Sequence, residues 1–167
     1  LALKLTECFD ALPRSGRMLH IGVLLGRPTT GLGLSAMMNG GSVAEYLGSL
    51  GGRAAAEAAR TAIERLPGVL MECQIDFDLD PTIQPRVGFG VRPDEIGNGA
   101  WKDLLSELVA SGCCDARRAD ALLSWLDSSS AANGIVLRRS LSHVKIIATP
   151  GRRLESKGYL GAVLITQ

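Results

Sequence analysis

Residues 74–91 read QIDFDLDPTIQPRVGFGV, two alternating runs separated by a proline and small polar residues. Successive side chains of an extended strand point to opposite faces. One face therefore carries Cys73, Ile75, Phe77 and Leu79, and the other Glu72, Gln74, Asp76, Asp78 and Asp80. On the returning run Val87, Phe89 and Val91 alternate with Arg86, Gly88, Gly90 and Arg92. Turn chemistry between two such runs predicts a β-hairpin with one apolar and one densely charged face.

The same unit recurs on either side. HIGVLLGRPTTGLGLSA begins at His20 and HVKIIATPGRRLESKGYLGA at His143. Each of the three meets a proline seven or eight residues on (Pro28, Pro81, Pro150). Each returns through a glycine beside a large apolar residue (Gly33-Leu34, Gly88-Phe89, Gly158-Tyr159). Three matches in one chain point to internal repetition of a structural unit. GRPTTGLG lacks the spacing of a phosphate loop and leads into a strand, so it is a hairpin turn.

The segments between the hairpins read as helices. SVAEYLGSLGG has Ser42 as an N-cap and Gly51-Gly52 as a stop. RAAAEAARTAIERLPG is alanine-rich and ends before Pro67. NGAWKDLLSELVASG sets Trp101, Leu104, Leu105, Leu108 and Val109 on one face, and DARRADALLSWLDSSS starts at a capping Asp115. LTECFDAL adds a further helix near the start. The expected order is ββ-αα-ββ-αα-ββ within a single α+β domain spanning residues 1–167. Short turns make neighbouring strands antiparallel, and helix pairs cover one face of the resulting sheet.

In the third hairpin the alternation puts Val144, Ile146, Leu160, Ala162 and Leu164 against the helices. Arg139, His143, Lys145, Lys157 and Tyr159 share the opposite face. In the first hairpin Ile21, Val23, Leu25, Leu32 and Leu34 are inward, opposed by His20, Gly22, Gly31, Gly33 and Ser35. Two readings of the polar face stay open. It is an ordinary solvated face, or the sheet curls so that it lines a cavity, with glycines leaving room for a ligand. In the second case Lys145, Lys157, Arg139 and Arg86 with Tyr159 suit an anion such as a diphosphate, through point charges, bidentate forks and a neutral donor. His20 and His143 hold equivalent repeat positions, either as a catalytic pair on adjacent strands or as ordinary sheet histidines.

Composition excludes several classes. Of 167 residues 46% are apolar and only 4% aromatic, and 18 basic against 17 acidic residues leave a formal charge of +1. There is no basic stripe for nucleic acid and no run of ~18 apolar residues for a membrane-spanning helix. No basic-then-apolar leader opens the sequence, which predicts a cytoplasmic protein. Cys8, Cys73, Cys113 and Cys114 lack C-x-x-C spacing and read as reduced thiols. DFDLD offers alternate carboxylates to a hard cation, but a basic return strand accounts for them equally well, and no metal is expected.

LHIGVLLGRPTTGLGLSA, QIDFDLDPTIQPRVGFGV, ADALLSWLDSS and LSHVKIIATPGRRLESKGYLGA resemble the C-terminal half of a bacterial family. That family is associated with gene clusters for ribosomally made, post-translationally modified peptides, and the resemblance covers most of the chain. Its members run longer at the N-terminus, so the resemblance implies a fragment, or one half, of a larger barrel. The order of two helices and two strands is also similar to ABBA-type prenyltransferases, including those that prenylate cyclic peptides. That similarity implies a partial or complete barrel with helix pairs outside and an isoprenoid diphosphate as co-substrate. Arg86, Lys145, Lys157 and Tyr159 would hold the diphosphate, and Glu72 or Asp76 would deprotonate or orient the acceptor. Three hairpins do not close such a barrel without further residues, a second copy or a partner subunit.

The expectation is therefore a peptide-modifying transferase acting on a precursor or cyclic peptide, with Glu72, Asp76 and His143 as the catalytic candidates. The alternative is a non-catalytic subunit that binds an extended precursor peptide at a sheet edge.

Overall fold

The computed structural model describes residues 1–23, 31–93, 98–126, 129–130 and 135–166. In chain order the elements are α1 (Ala2–Asp10), β1 (Arg17–Val23), β2 (Leu32–Asn39), α2 (Gly40–Ser49), α3 (Arg53–Arg65), β3 (Glu72–Asp80) and β4 (Thr82–Val91). They continue through α4 (Asn98–Ala110), α5 (Ala116–Trp125), the two-residue β5 (Ser129–Ser130), β6 (Ile135–Ala148) and β7 (Glu155–Thr166). The six longer strands form one antiparallel sheet in the order β1-β2-β3-β4-β6-β7, curled into a half-barrel, and β5 pairs with the start of β6. Among the described residues no helix is long and apolar enough to cross a membrane. The turn expected at Pro28, and Leu25 beside it, lie outside the described residues.

The alternation of residues 72–91 explains the central hairpin. Ile75, Phe77, Leu79, Val87 and Phe89 are all buried, and they meet Leu34 and Ala36 of β2 and Val144 and Ile146 of β6 in one core. Pro85 cannot donate to a ladder, and the β3–β4 register slips between Phe77–Val87 and Leu79–Ile83 to accommodate it. Tyr46 of α2 packs edge-on to Phe77 at 6.0 Å and donates its hydroxyl to the Cys8 carbonyl at 2.8 Å, which fastens α1 to the core. The four cysteines are free thiols, and three of them are buried.

The two helix pairs seat differently. Ala55, Ala58, Ala59 and Ala62 line the buried side of α3, and their small side chains let it lie close on the sheet. The α4–α5 pair presents bulkier side chains, with Trp101, Leu105 and Leu108 of α4 buried, whereas α5 buries only Ala119 fully. The Asp115 carboxylate accepts from the amides of Arg117 and Arg118, as an N-cap should. The cap of α2 differs from expectation. Asn39 rather than Ser42 accepts the orphan amide, from Gly41 at 2.9 Å, because the helix starts as soon as β2 ends.

Candidate functional site

On the face opposite the helices, cross-strand register sets Ser35, Asp76, Gly88 and Ile147 in one row. The neighbouring row holds Met37, Gln74, Gly90, Lys145 and Lys157. Lys145 Nζ reaches Asp76 Oδ2 at 2.7 Å, and each side chain is about a quarter exposed (26% and 24%). The path crosses Gly88, where any Cβ would lie 2.4 Å from Lys145 Cε. The glycine in VGFG thus makes room for the lysine stem rather than for a ligand. Gln74 Nε2 donates to Ser35 Oγ at 2.8 Å and to Asp76 Oδ1 at 3.3 Å. Burial pushes the Asp76 carboxyl up, but hydrogen bonds from Lys145 and Ser35, the Lys145 charge and Gln74 outweigh it and hold the group below the usual carboxylate range.

Two residues before Lys145 on β6, His143 lies opposite Tyr159, and the two rings stack at 4.2 Å and 11°. Ser142 Oγ sits 3.1 Å from His143 Nδ1. Burial, Arg92 and Lys145 together lower the proton affinity of His143, and Asp76 only partly offsets them. Lys157 stands directly across from Lys145, so β6 and β7 hold like charges side by side. Arg86 borders a depression of about 50 Å³ with Asp76, Asp78, Gly88, Lys145 and Ile147. Glu72 is exposed opposite Asn39 at the start of β3, four residues or about 13 Å along the strand from Asp76.

The face therefore brings Asp76, Arg86 and Lys145 together, with His143, Tyr159 and Lys157 beside them, and keeps Glu72 apart. Among the described residues no three His, Cys, Asp or Glu side chains gather as metal ligands.

Three expectations are corrected. Arg139 does not share this face. Ser142 is an extra residue in β6, because Leu141 pairs with Leu160 and His143 with Tyr159, and the bulge reverses the parity upstream of it. Arg139 accordingly lies on the helix side with its guanidinium 4.9 Å over the Trp125 ring, and its Nε is buried with no hydrogen-bond partner. His20 and His143 are not neighbours either, since β2, β3 and β4 separate β1 from β6. Leu160 and Leu164 do point to the helix side, but they are 48% and 67% exposed, Leu160 because it faces the open groove beside Leu122 and Trp125.

Two features of β7 were not legible from the sequence. The first is its outer edge: among the described residues this strand of twelve pairs only with β6, and the one bulge in that ladder lies on β6, at Ser142. The second is a groove of about 740 Å³ between α4–α5 and β7, walled by Leu105, Leu108, Leu122, Trp125, Val144 and Leu160. Gly158 forms part of its floor, where a Cβ would touch Leu122 at 2.9 Å. Ser156 Oγ and Arg153 Nε fix the neighbouring turn by donating to the carbonyls of Cys113 (2.7 Å) and Gly112 (2.9 Å). No family model matches the chain, and no curated protein or solved structure matches it.

Proposed function

We propose that the chain is a peptide-binding subunit of peptide maturation, taking an extended precursor segment as an added strand on β7. The observation that carries this reading is the outer edge of β7, unpaired among the described residues, with Tyr159, Leu160, Val163 and Leu164 all more than 40% exposed. A strand left open on one side presents unpaired amides and carbonyls to another chain. The other edge strand, β1, is blunted by a bulge at Leu19. Charge favours a peptide over a second copy. Residues 135–166 carry six Lys and Arg against one carboxylate, Glu155, in a chain whose total is +1. Two such hairpins edge to edge would double the positive excess, whereas an acidic peptide neutralises it.

Hydrogen exchange tests the reading. The outward-pointing amides of Glu155–Leu164, those not bonded to β6, should gain protection when an acidic extended peptide is added. A chain that is already dimeric by sedimentation, with these amides protected before peptide is added, contradicts it.

The transferase reading keeps one supporting observation, the cluster of Lys145, Lys157 and Arg92 around His143. Against it, Lys145 is committed to Asp76, and the depression beside it is small and flanked by two carboxylates, which repel a diphosphate. Calorimetric titration with dimethylallyl diphosphate decides: binding lost in both Lys145→Ala and Lys157→Ala would favour the transferase.

A further inference from the structure

The groove beneath α4–α5 opens along the same stretch of β7 that offers its edge. We propose that it reads every second residue of the added peptide, selecting an acidic extended segment with large apolar residues at alternate positions. The inference rests on β7 being the strand-addition edge and adds the identity of the occupant.

Residues directly opposite in paired strands share a face. On β7, Ser156, Gly158 and Leu160 point to the helix side, paired with Ile146, Val144 and Leu141 of β6. Peptide residues set across from Gly158 and Leu160 would therefore enter the groove, whose walls are Leu105, Leu108, Leu122 and Trp125. About 740 Å³ is the size of a drug-binding pocket and holds several leucine-sized side chains. Alanine-lined α3 sits close to the sheet, whereas α4 and α5 turn Leu105, Leu108, Leu122 and Trp125 toward the groove. Peptide residues of the other parity would face Lys157 and Tyr159, whereas in the groove Arg118 and Arg153 are offset by Asp115 and Glu155. Carboxylates at those positions meet the Lys157 cation on the polar face of the edge.

Three fluorescent octapeptides test this on the full chain by anisotropy: alternating leucine and glutamate, the same residues in two blocks, and alternating serine and glutamate. The alternating leucine peptide should bind at least tenfold tighter than either control. Ala121→Trp, which fills the groove from an exposed position on α5, should erase that preference, and Leu160→Ser should reduce it. Lys157→Glu should weaken both glutamate-alternating peptides. Equal binding of all three peptides with β7 amides protected overturns the groove selection and leaves the edge reading standing. An unchanged preference in both Ala121→Trp and Leu160→Ser overturns it as well. Binding without protection of β7, or no binding by any peptide, removes the edge reading and this inference with it.

Discussion

Removing Lys145 exposes how the polar face is held together. Its ammonium lies 2.7 Å from Asp76, and both side chains are about a quarter exposed. Exposed ion pairs contribute about 0.2–1 kcal/mol, whereas truncating one partner of a fully buried pair costs about 3–5 kcal/mol. Lys145→Met keeps the stem over Gly88 and removes the charge, so the expected loss is about 2 kcal/mol, between those limits. For a chain of this length that lowers Tm by about 4–8 °C. The control is a double-mutant cycle with Asp76→Asn, read by urea denaturation, and its coupling energy should be about 1–2 kcal/mol at pH 7.

The pH dependence has a definite sign. The folded Asp76 carboxyl is held below its ordinary value, so its contribution is present above the unfolded pKa near 3.8 and is lost as pH falls through the folded value. Wild type should therefore lose more stability on acidification below about pH 4 than Asp76→Asn does. A coupling energy below about 0.3 kcal/mol at pH 7, or identical acid slopes for the two proteins, would refute the reasoning.

Gly88→Val should displace Lys145 from Asp76 and cost about 1–2 kcal/mol, but become neutral or stabilising in a Lys145→Ala background, where valine favours the strand; thermal denaturation of the pair checks this. Arg139→Met removes a buried Nε that has no partner and keeps an apolar stem over Trp125, so denaturant titration should show unchanged stability or a gain of up to about 1 kcal/mol. Folded His143 resists protonation, so the unfolded chain binds its proton first and stability falls as pH drops through about 6.5. His143→Gln should flatten that slope below about pH 6.5, and an unchanged slope contradicts the assignment.

The hairpin at 74–91 was legible because its period-two pattern has one solution: each buried position follows from burying one face of the strand. The same rule failed upstream of Ser142 for a physical reason. A bulge inserts one residue and reverses parity, and nothing in RRSLSHVK marks which residue is extra, so plain alternation puts Arg139 on the wrong face. Alternation also says which way Leu160 and Leu164 point but not whether a helix reaches far enough to cover them. That depends on how closely α4–α5 seats on β7, a long-range packing property. The pairing of His20 with His143 failed because repeat equivalence fixes position within a unit and leaves strand order undetermined. Of the candidate site, the shared face of Asp76, Arg86, His143, Lys145, Lys157 and Tyr159 was readable. The Asp76–Lys145 ion pair was not, because it depends on the register that brings Gly88 between β3 and β6.

The most direct test of peptide addition at β7 is isotope-filtered NMR of the labelled chain with an unlabelled alternating leucine–glutamate octapeptide. The account predicts a ladder of peptide contacts to backbone protons along Glu155–Leu164, with leucine methyl contacts to Leu122 and Trp125. Contacts confined to the face of Asp76 and Lys145, with none along β7, would contradict it.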